Sequence, residues 1–136
     1  MTEKQLHKQI TDYIKIQYKN VVFTTDMSGV RLSKGQAFQA SKLRSETGIP
    51  DILIFQTGGK TLVRNEDENT NQVVFQFAGL FLEVKKKTPY KKNREILKEH
   101  TDQNNLHKKL QAQGYYTLFV WNFDDAKKII DDYMKL

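Results

Sequence analysis

Gly48-Ile49-Pro50-Asp51-Ile52-Leu53-Ile54-Phe55 and Leu80-Phe81-Leu82-Glu83-Val84-Lys85 are the two segments on which this chain turns. The apolar run after Asp51 reads as a buried strand, and residues 80–85, where apolar and charged side chains alternate, read as a second strand. Side chains alternate across a strand, so Leu80, Leu82 and Val84 share one face while Phe81, Glu83 and Lys85 share the other. Pairing of the two strands would let Asp51 and Glu83 converge on one hard divalent cation such as Mg²⁺, which takes oxygen ligands and keeps several waters. Lys85 would lie beside it. A divalent cation, an ammonium next to it and a docked phosphodiester are the parts that in-line hydrolysis needs.

Pro50-Asp51, a spacer, and then Glu83-Val84-Lys85 resemble the PD-(D/E)XK nuclease signature. Three further residues resemble its virus-type replication-repair nuclease branch (VRR-NUC): Glu3 in an opening helix, Gly48 ahead of Pro-Asp, and Gln103 in a late helix. The resemblance extends from Glu3 to about Trp121. It implies an α/β fold with a mixed central β-sheet flanked by helices, a Mg²⁺ or Mn²⁺ cofactor, and a DNA substrate. It further implies Asp51, Glu83, the Val84 carbonyl and Glu3 as metal ligands or near neighbours, Lys85 as the group that orients the attacking water, and Gln103 as a support. Without the resemblance, Glu83-Val84-Lys85 also reads as an edge strand with a surface ion pair of little energetic weight. Glu3 likewise reads as an acid favoured by the helix dipole.

Composition agrees with a polyanionic partner. Of 136 residues, 22 are Lys or Arg and 16 Asp or Glu, a net charge of +6, which favours nucleic acid over an acidic small molecule. The length suits one domain, 1–136, with a single core. Absence of Cys removes disulfides and zinc-thiolate sites. No apolar run suggests a signal peptide or membrane span, so the expectation is a soluble, intracellular (cytoplasmic) protein with no small-molecule cofactor.

In chain order, Thr2-Glu3-Lys4-Gln5 has the form of a capping box, and Leu6, Ile10 and Ile14 continue a helix whose inward side includes Glu3. Val21–Thr25 reads as the first strand, and residues 26–35 as a loop carrying Arg31 and Lys34. Residues 36–47, with Lys42 and Arg44, read as a short helix or an irregular segment. These four cations read either as phosphate contacts or as solvated surface. Thr57-Gly58-Gly59-Lys60 suggests a tight turn, with Thr61-Leu62-Val63 returning against the Asp51 strand. It is no phosphate-binding loop, because Ile54 stands where that motif needs Gly. Residues 65–71 fail as a calcium loop, with Thr70 and Gln76 at positions that require Gly and Glu. The spacer over 57–76 is longer than expected for compact members of the family. Six of the ten residues from Lys85 to Arg94 are basic; Lys86, Lys87, Lys91, Lys92 and Arg94 read as a backbone-binding strip or as a solvated loop. Thr101 or Asp102 is expected to cap a helix with Gln103, Leu106 and Leu110 on one face, ending at Gly114. Asn122 or Asp124 is expected to cap a last helix after the strand Tyr115–Trp121. His7, His100 and His107 share no metal-ligand spacing and read as surface residues.

The function expected is a Mg²⁺- or Mn²⁺-dependent DNA endonuclease for structured or branched DNA, similar to a junction-resolving phage or prokaryotic nuclease. The resemblance also implies a homodimer, since single-domain viral members of the family are similar to junction-resolving enzymes that work as dimers, and geometry supports this because a four-way junction needs two symmetric cuts. Trp121, Phe123 and Tyr133 are interface candidates, each also readable as core. A non-cleaving nucleic-acid-binding module and a restriction or defence nuclease component are the alternatives.

Overall fold

The computed structural model describes residues 1–26, 33–42 and 48–135. The first helix, α1, spans Glu3–Gln17 and begins as its sequence dictates: Thr2 Oγ1 accepts from the Gln5 amide, and the Gln5 side chain accepts from the Thr2 amide. Together they satisfy two of the amide groups that a helix start leaves without partners. Strand β1 is shorter than expected, Phe23–Thr25. Helix α2, Lys34–Lys42, makes residues 36–42 helical, while 43–47 lie outside the described residues, and it opens on a second reciprocal cap between Ser33 and Gln36. Then follow β2 (Ile52–Ile54), β3 (Gly58–Asn65), β4 (Thr70–Phe77), β5 (Gly79–Val84), a 3-10 turn at Lys98–His100, α3 (Thr101–Ala112), β6 (Tyr115–Val120) and α4 (Phe123–Met134).

The central sheet is mixed, in the order β1-β2-β5-β6. β2 runs antiparallel to both β1 and β5, whereas β5 and β6 are parallel and joined through α3, the long crossover that parallel neighbours require. Alternation sorts the side chains as expected. Leu80, Leu82 and Val84 join Ile52, Ile54 and Val120 beneath α1 and α4, which contribute Leu6, Ile10, Ile14, Ala126 and Ile130. Full burial of each large aliphatic side chain here is worth roughly 1.5–3 kcal/mol. Tyr13 of α1 and Tyr18, the residue that ends it, both donate to Asp131 of α4, at 2.5 and 2.6 Å, and so clamp the two helices together. The opposite face carries Phe81, Thr117 and Phe119; the Thr117 hydroxyl donates to the His107 carbonyl of α3.

Four expectations need correction. Residues 61–63 do not return against the Asp51 strand: β3 pairs with β4 in a separate two-stranded sheet whose turn is the acidic segment 66–69. β2 has no free edge to offer, since β1 and β5 occupy both sides. The long spacer is thus an added hairpin and leaves the pairing of β2 with β5 intact. Neither Thr101 nor Asp102 caps α3, because the preceding 3-10 turn makes His100 the cap residue without a side-chain bond. His107 is not a surface residue; it is 3% exposed, and its ring lies 4.5 Å from that of Phe119. Tyr133 belongs to the core at 4% exposure, with its hydroxyl donating to the Gln56 carbonyl, which removes it as an interface residue. Asn122, the first of the two candidate caps for α4, accepts from the Asp125 amide.

Candidate active site

Pairing places the acids. The register aligns Ile52 with Leu82 in antiparallel fashion, so one further step sets Asp51 opposite Glu83. Pro50, fully buried, has no amide to donate and ends the ladder at that point. Asp51 turns back onto β5, its Oδ2 accepting from the Val84 amide at 2.8 Å. Its own carbonyl accepts from the Asp26 amide at 2.9 Å, tying β1 to the same corner.

Glu83 is 4% exposed. Its Oε1 accepts from Gln103 Nε2 at 2.7 Å and lies 3.5 Å from Lys85 Nζ. Gly48 lies beside Gln103, and it is its φ of +82°, a conformation that side-chain-bearing residues avoid, that calls for glycine; a Cβ there would make only ordinary contact with Gln103 Cγ, at 3.5 Å. Among the described residues, Glu83 Oε2 and Gln103 Oε1 are buried with no hydrogen-bond partner. Glu3 approaches from α1, accepting from the Lys86 amide at 3.2 Å while remaining exposed.

Electrostatics mark the two facing acids as strained by charge. Burial first, then the Asp51 charge, push the Glu83 carboxyl up to about 8, with Lys85 opposing. Burial also raises Asp51; the Val84 amide, His7 and Lys85 pull it down, and Glu3 raises it further. Beneath the site, burial and the Lys85 charge lower His107 to about 4, so it is neutral at physiological pH.

A cation fits this donor set. A buried and a half-buried carboxylate that repel each other, and two buried oxygens without partners, are what a hard divalent ion relieves. Among the described residues no group of three or more acidic, His or Cys side chains could hold a metal ion. Asp51 and Glu83 would therefore supply the side-chain ligands, with backbone oxygen and water completing the shell, as Mg²⁺ commonly requires.

The structure thus brings Asp51, Glu83, Lys85 and Gln103 together and sets Glu3 at the margin. Val84 contributes the amide that holds Asp51. Lys86, Lys87, Lys91, Lys92 and Arg94 are exposed on a folded excursion after β5. Pro89 is buried there, Tyr90 packs edge-on to Phe119 and Trp121, and Tyr90 bridges to Ile96. Lys34 and Lys42 are exposed on α2, Lys42 Nζ lying 4.3 Å from the Phe38 ring centroid. Arg31 and Arg44 lie outside the described residues. Sequence reasoning passed over two histidines. His7 is one helical turn past Glu3 on the same side of α1, a spacing that could have located it beside Asp51. His107 continues the series 103, 106, 107, 110, an inward helical stripe.

No family model matches the chain, and no curated protein matches it. Among solved structures it is similar to a "VRR_NUC domain protein" at 17% sequence identity and a TM-score of 0.64, over 100% of this chain and 90% of that one. At that identity the likeness speaks for architecture, and it spans the central sheet together with its helices. The chain therefore shares the fold of that VRR_NUC domain protein, a mixed central sheet flanked by helices.

Proposed function

We propose that residues 1–136 form one nuclease domain, a divalent-metal-dependent DNA endonuclease that hydrolyses phosphodiester bonds in structured or branched DNA. The observation that carries this reading is the half-buried Asp51 facing the buried Glu83, with Lys85 beside them and an oxygen of Glu83 left without a partner. Mg²⁺ or Mn²⁺ held by Asp51 and Glu83, with the Val84 carbonyl and Glu3 as neighbours, would supply charge neutralisation at the phosphate and activation of water. The Val84 amide fixes Asp51, and Gln103 fixes Glu83, so the ligand oxygens are set before substrate arrives. The Lys85 ammonium orients the attacking water and offsets charge that develops on the phosphate. Lys86, Lys87, Lys91, Lys92 and Arg94, with Lys34 and Lys42, and Arg31 and Arg44 outside the described residues, bind the DNA backbone. None of the helices among the described residues is long and apolar enough to cross a membrane.

The preferred substrate is a four-way junction and the active species a homodimer, because two symmetric cuts need two sites related by a two-fold axis. Labelled junctions, flaps and linear duplex, incubated with wild type and Asp51→Ala in Mg²⁺, Mn²⁺ or EDTA, test the reading, with light scattering for assembly. Wild type should be a dimer that cuts junctions only with metal, and the variant should bind without cutting. Cleavage in EDTA or by Asp51→Ala defeats the metal assignment. A monomer that cuts flaps and ignores junctions defeats the resolvase assignment alone.

A further inference from the structure

The acid pair has two flanks, and the reading above uses one of them. The strip from Lys86 to Arg94 lies on the β6 side, where Tyr90 rests on Phe119 and Trp121. On the β1 side is a groove of about 630 Å³ that runs from Asp51 past Thr25 and Asp26, with α1 as its long wall.

That wall is a helical stripe. Residues 4, 8, 11 and 15 recur at i, i+4, i+7 and i+11, and all four, Lys4, Lys8, Thr11 and Lys15, line the groove. At 3.6 residues per turn this stripe is adjacent to the buried one of Leu6, Ile10 and Ile14, with Glu3 and His7 between them. The helix is therefore graded around its circumference: apolar on the sheet, Glu3 and His7 over Asp51, lysines along the groove. From Lys4 to Lys15 the stripe extends roughly 16 Å at 1.5 Å per residue.

A solvated lysine face is ordinary on an amphipathic helix. Here, however, the face is the wall of a concavity that reaches Asp51, the half-buried member of the acid pair. Carboxylates repel a polyanion, so a phosphodiester brought to Asp51 needs cations on the approach. The Lys8–Asp12 ion pair, 2.6 Å between exposed side chains, adds little stability and gives no reason for Lys4 or Lys15 to line the groove.

We infer that Lys4, Lys8 and Lys15 form a second DNA-binding track, which holds the sugar-phosphate backbone on the β1 side of the acid pair while the Lys86–Arg94 strip holds it on the β6 side. The inference rests on the nuclease reading of the site.

The test is fluorescence anisotropy of a short labelled duplex in EDTA across a salt series, with the full chain. Each lost phosphate contact lowers the slope of log affinity against log salt by about 0.9, so Lys4→Gln/Lys8→Gln/Lys15→Gln should flatten it by roughly 2 to 3. Gln keeps the helix propensity of Lys. Lys60→Gln/Lys108→Gln/Lys128→Gln removes the same charge from β3, α3 and α4 and should change the slope by less than about 1. An unchanged slope in the groove variant, or an equal loss in the control variant, overturns the track and leaves the nuclease reading standing. Wild type without salt-dependent DNA binding overturns both. Should the triple variant fail to fold, Lys4→Gln and Lys15→Gln singly carry the test at about 0.9 each.

Discussion

Glu83→Gln exchanges one carboxylate oxygen for an amide of similar size, in a side chain that is 4% exposed. Burial and the Asp51 charge hold the wild-type carboxyl at about 8, against an ordinary value of 4.5. Between those values the folded protein keeps a proton that the unfolded chain releases. Stability from this group is therefore fully present below pH 4.5 and declines as pH rises through about 8. At 1.36 kcal/mol per pH unit the decline amounts to on the order of 5 kcal/mol, a large part of the total stability of a small domain. Asp51, raised by burial as well, adds in the same direction. Gln at position 83 can still accept from Gln103 but has no charge to desolvate. Urea unfolding in EDTA, from about pH 5 to about pH 8, should show wild type losing stability relative to the variant by that order. Added Mg²⁺ or Mn²⁺ should restore wild type at the alkaline end and leave the variant unchanged, because ligand that binds only the folded state stabilises it. Parallel pH profiles for the two proteins would refute the claim that Glu83 is a buried carboxylate awaiting a cation.

Two further predictions concern turnover and binding. Lys85→Ala should lower single-turnover cleavage at saturating DNA by on the order of 10² to 10³ with little change in affinity, as loss of one charge-stabilising group does elsewhere; a fall in affinity at unchanged rate would make Lys85 a binding residue. Replacing any two of Lys86, Lys87, Lys91, Lys92 and Arg94 by Ala should weaken binding to all sequences and flatten the salt dependence by roughly one unit per lost contact. An unchanged slope would return the strip to solvated surface.

Much of the architecture is written locally. Alternation at residues 80–85 assigns Leu80, Leu82 and Val84 to the core, and Thr2–Gln5 and Asn122 cap their helices within three residues of chain. Strand alternation and pairing pointed to Asp51, Glu83 and Lys85, the resemblance added Gln103, and the structure brings the four to one place. The partner of β3 was not legible. Residues 61–63 carry a strand signature that would suit either neighbour, and the outcome depends on β1 and β5 covering β2 and on Tyr133 of α4 filling the space that a Gly58 side chain would need. The His107 position was available from helical spacing, yet a histidine followed by two lysines reads equally well as surface.

The sequence by itself determined the secondary-structure signals, the sides of the strands and the identity of the charged groups, because these rest on backbone sterics and contacts a few residues apart. Only the tertiary structure decided what those groups are chemically. Asp51 meets the Val84 amide across 33 positions, Gln103 meets Glu83 across 20 and Glu3 meets the Lys86 amide across 83. The raised Glu83 carboxyl, its oxygen without a partner and the groove along α1 exist once those segments exclude water together, since desolvation and charge coupling belong to the assembled environment rather than to any residue within it.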